Sequence, residues 1–193
     1  MKNKFSKQII SGKFKGVNIA LPKTETTRSS KTIVLESFFN TIQFEIIDAN
    51  FVEVFAGSGS IGLEALSRGA KKVYFMEQNS LAVKTLKSNI SKTDPSSCQV
   101  YAGDSFENIN MTLSALGEED AYFYIDPPFS IREGMEAIYE KTINLIKNLK
   151  SKNVRLIIVE HMTGLELDDE IGLYSKKKSK KFGKTTLSYF EQQ

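Results

Sequence analysis

Four carboxylates in this chain stand near the ends of short apolar runs, and one of them opens a motif with a specific chemistry. Asp126 follows Ala121-Tyr122-Phe123-Tyr124-Ile125 and precedes Pro127, Pro128 and Phe129. An acid before Pro-Pro-aromatic suits the holding of a planar base that carries an amino group. The Asp accepts a hydrogen bond from the amine. Proline has no N–H and a fixed φ, so the turn is stiff and offers carbonyl acceptors. Phe129 offers a face on which the base can stack. A strand that ends in a rigid turn is the plain alternative for the same residues.

The other three acids surround a glycine loop. Glu53-Val54-Phe55-Ala56-Gly57-Ser58-Gly59-Ser60-Ile61-Gly62 follows an apolar run and opens a helical pattern. Gly57, Gly59 and Gly62 fit G-x-G-x-x-G in the strand–turn–helix setting that this fingerprint requires. Glu77, with Gln78 beside it, ends the run Lys72–Met76, where an acid reaches ribose hydroxyls. Asp104 and Ser105 follow a third run, Gln99–Gly103. Asp104 can accept from an adenine 6-amino group; its alternative is a helix N-cap, with Ser105 as a rival cap. Glu53 discriminates between ligands. A carboxylate beside the loop repels a pyrophosphate and attracts the ammonium of a methionine moiety. S-adenosylmethionine has a ribose, an amino-acid end and no phosphate, so it suits Glu53, the loop and Glu77 better than a dinucleotide does. The expected donor site is Glu53, Phe55, Gly57, Gly59, Glu77, Gln78, Asp104 and Ser105.

These motifs together resemble a known family. Phe55 to Ala70, with Asp126-Pro127-Pro128-Phe129, is similar to the bacterial 16S ribosomal RNA guanine-N2 methyltransferases of the RsmD type. The likeness begins at Ile10-Ser11-Gly12-Lys13-Phe14-Lys15-Gly16, runs through Glu36-Ser37-Phe38-Phe39-Asn40 and ends at Leu187-Ser188-Tyr189-Phe190. It departs at Arg28-Ser29-Ser30-Lys31-Thr32-Ile33-Val34-Leu35-Glu36, where the family's proline, aspartate and two later arginines are missing. The resemblance implies an α/β, Rossmann-like class I S-adenosylmethionine-dependent methyltransferase. Its sheet would be seven-stranded and mostly parallel, with a C-terminal antiparallel hairpin and a small N-terminal β-hairpin. It also implies methyl transfer to a guanine N2 amine of 16S rRNA, with S-adenosyl-L-methionine as donor. Asp126 to Phe129 would be the catalytic clamp. The substrate would be naked RNA or an assembling small subunit, and the enzyme a monomer. An adenine-N6 methyltransferase of DNA or RNA has the same clamp chemistry. A non-catalytic RNA-binding assembly protein that kept the fold is a third reading, opposed by the intact acids.

The elements needed to position these groups are legible. Apolar runs near 51–55, 72–76, 98–102, 121–125 and 154–159 alternate with helical patterns near 60–68, 80–91, 105–116 and 133–149. That alternation predicts a parallel sheet with crossover helices, whose strand carboxyl ends share one edge. Ile33, Val34, Phe38 and Ile42 share one face of an earlier helix. Residues 8–21 read as a hairpin, stopped by Pro22. Residues 1–31 form the basic hairpin and linker, and residues 32–193 the methyltransferase domain. Residues 171–174 and 185–191 read as two strands around a lysine loop.

The 193-residue chain has a formal charge of +3, which hides a strong segregation. Residues 1–31 hold eight Lys/Arg and one acid, and residues 176–184 hold six lysines and no acid. The rest is net acidic. Basic segments on an acidic body are the footprint of a phosphate-backbone binder. Lys13, Lys15, Arg28, Lys176, Lys177, Lys178, Lys180, Lys181 and Lys184 are the expected RNA contacts beside the pocket. They would supply affinity rather than sequence readout. No apolar run approaches the roughly 20 residues that span a bilayer, and no signal core follows the first residues. The expectation is a cytoplasmic protein without membrane contact. One cysteine, Cys98, excludes an internal disulfide and reads as an inert thiol. No Cys/His cluster suggests a metal, and the only histidine, His161, reads as structural.

Overall fold

β-branched and aromatic runs too short for helices become strands, and the amphipathic segments between them return the chain across the sheet. The computed structural model describes residues 6–22, 30–128 and 137–193, without the side chains of Ser30 and Lys31. Arg28, Phe129 and the predicted helical residues 133–136 lie outside the described residues.

A hairpin of β1 (Ser6–Gln8) and β2 (Asn18–Ala20) precedes α1 (Ser30–Thr41). There follow β3 (Asn50–Val54), α2 (Ser60–Ser67), β4 (Lys72–Glu77), α3 (Ser80–Ile90), β5 (Cys98–Ala102) and α4 (Ser105–Leu116). The chain ends with β6 (Ala121–Ile125), α5 (Ile138–Asn148), β7 (Val154–Met162), β8 (Glu170–Ile171), β9 (Tyr174–Phe182) and β10 (Thr185–Gln192). The main sheet has the order β5-β4-β3-β6-β7-β10-β9-β8. β5 to β7 are parallel and the last three strands antiparallel. The expected seven strands gain a two-residue eighth, because Gly172 (φ 63) lets Glu170–Ile171 fold back on β9.

Two apolar clusters fill the two faces. One packs Phe38, Phe39, Leu63, Leu66, Leu86 and the hairpin residues Ile9 and Ile19 against Phe51, Phe75 and Tyr124. The other packs Ile109, Leu116, Leu145 and Ile146 against Val52, Phe123 and Ile157. Phe38 and Phe39 are fully buried, each contributing about 1.5–3 kcal/mol by transfer. Val34 and Phe38 on α1, and Ile42 just past its end, turn inward as predicted, whereas Ile33 is 61% exposed. Leu35 and Phe39 take that side of the inward stripe instead.

The lysine segment differs from the sequence reading. Residues 176–182 are not a loop but most of β9, paired with β10 on both sides of one bulge. The turn is confined to Gly183 and Lys184, between Phe182 and Thr185. Lysine has weak strand preference; the alternating partner strand imposes the conformation. A register shift between Tyr189 and Phe190 leaves Lys177 without an opposite residue. No described helix is long and apolar enough to cross a membrane.

Candidate active site

The strand order reverses between β3 and β6: the chain runs outward through β4 and β5, then returns to the other side of β3. Ligands of open α/β sheets bind at such a switch point, above the strand carboxyl ends. Val54 lies opposite Ile125 in the parallel register. The next residues, Phe55 and Asp126, therefore leave adjacent strands at the same edge of the sheet.

The donor side is a set of strand ends tied together. Ala56 N–H donates to the Met76 carbonyl at 2.8 Å and Gly103 N–H to the Glu77 carbonyl at 3.0 Å, extending the ladder past the strands. Glu77 is buried at the end of β4. Its Oε2 accepts from Gly57 N–H at 2.7 Å and its Oε1 from Asn79 N–H at 2.7 Å. Each oxygen keeps a second lone pair for a hydroxyl. Phe55 holds a positive φ of 64°, costly for an aromatic residue and of the kind found at ligand sites. Its ring meets Phe106 edge-on, with centroids 5.5 Å apart.

Glu53 does not sit at a strand end. It lies inside β3, 4% exposed, and its carboxylate closes the start of α2. Oε1 accepts from Ile61 N–H at 3.3 Å and Oε2 from Gly62 N–H at 2.8 Å. Gly59, in the N-cap place with φ 75°, has no side chain to do this. A Cβ on Gly62 would lie 2.5 Å from Phe75 Cε1, 2.7 Å from Val73 Cγ1 and 2.9 Å from Glu53 Oε2, so the third glycine lets α2 close on β4 and on the carboxylate together. The helix N-terminus that would bind a phosphate already holds an anion of the chain's own. The Glu53 carboxylate thus faces the backbone at the start of α2.

Asp104 is exposed and is the N-cap of α4, its Oδ1 accepting from Phe106 N–H at 2.7 Å. The capping alternative is thus realised, and Oδ2 takes no part in that bond. Ser105 is buried rather than a rival cap; its Oγ and the nearby Asn108 Nδ2 have no partner among the described residues. Gln78 is exposed next to Glu77. A groove of about 520 Å³ between α4 and α5 adjoins Asp104 and Phe106 but reaches neither Glu77 nor Asp126, so it is not this crevice.

On the other side, Asp126 is half-buried, Pro127 buried and Pro128 half-buried. A residue that the sequence reading passed over stands beside them. Glu160, near the end of β7, accepts a 2.6 Å bond from Tyr124 Oη. Burial, then Glu160, then Asp126 push the Tyr124 hydroxyl well above its usual range. The signal was an acid after Ile157-Ile158-Val159, one register step past the Ile125–Val159 pair. His161 is buried, with Nε2 on Ser188 Oγ at 2.8 Å and Nδ1 on the Met162 carbonyl at 3.1 Å. Burial lowers its pKa. Burial also pushes the Cys98 thiol up to about 12.

The lysines divide. β10 places Phe182 and Met162 both opposite Thr185, so the Gly183–Lys184 turn lies on the substrate edge. Lys176 pairs with Asp169 at 2.7 Å and donates to the Leu167 carbonyl. Lys180 donates to Ser37 and Thr41 of α1, at 3.3 and 3.2 Å. Lys178 lies over the Tyr189 ring, 4.9 Å from its centroid. Lys177, Lys181 and Lys184 are exposed. Lys13 and Lys15 are not brought to this edge. Lys13 N–H bonds the Ser67 carbonyl at the C-terminal end of α2, while the crevice lies at its N-terminal end. The eight residues between span about 12 Å.

Known proteins are similar to this chain in sequence and in fold. Residues 7–191 match the family described as conserved hypothetical protein 95. Ribosomal RNA small subunit methyltransferase D of Escherichia coli is 30% identical over 141 residues, covering 73% of this chain and 67% of that one. The chain belongs to this methyltransferase D family. A Bacillus subtilis relative, described as a candidate rRNA methyltransferase, is 28% identical over 95% of this chain and 98% of its own. A solved Escherichia coli structure, described as a candidate methyltransferase, superposes with a TM-score of 0.77 at 26% identity, over 97% of this chain and 98% of the other. The methyltransferase D resemblance and the class I methyltransferase fold read from the sequence are both borne out.

Proposed function

We propose that this methyltransferase D family member transfers a methyl group from S-adenosylmethionine to the exocyclic N2 amine of a guanine in 16S rRNA of the small subunit. The observation that carries the reading is the register across the switch point, which sets Asp126 beside Phe55 at the mouth of the glycine loop. A base clamp and a donor loop then open into one crevice.

The residues fit the donor. Glu77 and Gly57 would hold the ribose, and Asp104 Oδ2 with the unpartnered Ser105 and Asn108 would meet the nucleoside end. The sealed start of α2 favours a ligand without phosphate. Bound there, the donor supplies an electrophilic methyl on a sulfonium, and the electron pair of the broken bond stays on sulfur. The guanine amine is a poor nucleophile because its lone pair is delocalised into the ring. Asp126 and a proline carbonyl accept its two N–H bonds and turn the lone pair toward the methyl. Much of the rate gain is positional, with reacting atoms held about 3–3.5 Å apart. Asp126 stabilises charge growing on nitrogen and takes the proton late. The base must leave its stack to enter the crevice. Phe129 is proposed as its stacking partner. Lys177, Lys181 and Lys184 are proposed to meet phosphates, and Arg28 remains a proposed contact.

The test is methyl transfer by the purified chain to 16S RNA, with mass spectrometry of the product nucleosides. N2-methylguanosine is the expected product. Methyladenosine alone would replace the guanine reading with an adenine one, and no transfer to naked RNA or to small subunits would remove it.

A further inference from the structure

We infer that Glu160 selects guanine by accepting the N1–H of the base whose N2 amine Asp126 holds. The inference rests on the reading of Asp126 as the base clamp. β6 and β7 pair in parallel with Ile125 opposite Val159. The next residues, Asp126 and Glu160, therefore stand side by side on neighbouring strands, about 4.8 Å apart in strand spacing. Side chains alternate along a strand, so Asp126 shares a face with Tyr124, and Glu160 with Ile158. Tyr124 and Ile158 belong to one and the same core cluster, so both acids project on that side.

Glu160 is 3% exposed, and the Tyr124 hydroxyl fixes its carboxylate from one side. Tyr124 is itself wedged against Phe38, with ring centroids 5.0 Å apart. The same two acids also raise the hydroxyl of Tyr139, after burial, so they share its surroundings at the start of α5. Two carboxylates on adjacent strands cost desolvation and mutual repulsion, and a Tyr–Glu pair adds less than an apolar pair would. Such arrangements gather where ligands bind. Here they gather at the substrate end of the sheet.

The chemistry names the ligand edge. Guanine presents two adjacent donors, N1–H and the N2 amine. Adenine presents its amine beside an N1 lone pair. Asp126 alone accepts from either amine. A second carboxylate completes the guanine edge and opposes the adenine edge, because it would face a lone pair across a desolvated gap. Sites built to hydrogen-bond a group reject analogues that lack it by factors of about 10⁴–10⁵.

The test compares two synthetic fragments of small-subunit RNA, one with guanine at the methylated position and one with 2-aminopurine. The analogue keeps the 2-amine but has an acceptor at N1. Single-turnover transfer by the full chain is measured for wild type, Glu160→Gln and Tyr124→Phe, with melting curves to confirm folding. Wild type should prefer guanine by about a hundredfold or more. Glu160→Gln should lose on guanine yet gain about tenfold on 2-aminopurine, since its amide can donate to N1. Tyr124→Phe should weaken the preference without reversing it. A gain on the analogue cannot come from a damaged fold. Equal losses of Glu160→Gln on both fragments would make Glu160 structural and overturn the inference. If wild type methylates no guanine amine in the fragments or in small subunits reconstituted with them, the clamp reading fails before any variant is made, and this inference falls with it.

Discussion

Removing the Glu53 carboxylate should loosen the start of α2 and convert it into an anion site. Glu53→Ala leaves the N–H groups of Ile61 and Gly62 without the acceptor they now share at 3.3 and 2.8 Å. Hydrogen bonds to a charged group contribute about 1.5–3 kcal/mol each, the longer one near the low end. The expected loss is about 3–4 kcal/mol. For a chain of this size each kcal/mol moves Tm by about 2–4 °C, which puts the fall at roughly 6–16 °C. Glu53→Gln keeps one acceptor oxygen but no charge, and should lose about half as much. The freed helix end is then a backbone anion site. Sulfate should raise the Tm of Glu53→Ala more than that of wild type at matched ionic strength. The assay is thermal unfolding of both proteins in sulfate and chloride series. A variant that melts within about 2 °C of wild type, and responds to sulfate no differently, would refute the claim that Glu53 supplies the anion of this helix.

Further outcomes are expected elsewhere in the molecule. Asp126→Ala should cut turnover by about 10²–10⁴ while leaving donor affinity within twofold, read by calorimetry and single-turnover kinetics; near-normal turnover would reduce the Pro-Pro turn to structure. Replacing Lys177, Lys181 and Lys184 by Ser should flatten the log–log salt slope of RNA binding by roughly 0.7–0.9 per lost contact, with unchanged Tm. Unchanged slopes would mean a solvated edge. The buried His161 has a pKa below its ordinary 6.5, so the unfolded chain binds its proton first. Stability should be intact above that value and decline as pH falls from it through the lower folded pKa. His161→Gln should flatten that decline in denaturant titrations, and an unaltered pH profile would count against the burial argument.

The sheet was legible because parallel strands buried on both faces must be short apolar runs, and each run from Phe51 to Val159 became one. The strand-end acids Glu77 and Asp126 were legible for the same reason: an acid closing such a run has only the ligand edge to occupy. Glu53 was misplaced by one step. The sequence shows a glycine where a helix cap belongs, but not that a buried acid from the preceding strand bends back to serve it. The lysines were misread because their strand conformation comes from β10, and the ammonium groups of Lys178 and Lys180 lie over Tyr189, that of Lys180 also bonding α1. Glu160 escaped because only the β6–β7 register makes it Asp126's neighbour. Lys13 and Lys15 were grouped with the site by charge, which carries no information about which end of α2 they occupy.

The hairpin has a consequence for how the chain is made. Its partners come much later in the sequence. Ile10 and Ser11 N–H bond Glu64, a 1% exposed carboxylate. Ala20 exchanges two 2.8 Å bonds with the amide of Asn89, sixty-nine residues on. The same amide holds the Ser58 carbonyl of the glycine loop at 3.0 Å. During synthesis the hairpin emerges before α2 and α3, whose residues cover Ile9 and Ile19 in the folded chain. At about 5–20 residues per second it waits several seconds for α3 to leave the ribosome. Only when Asn89 arrives can one amide close the hairpin onto the loop. The hairpin thus docks only once α3 has been made, and an earlier segment of the chain finishes the donor loop.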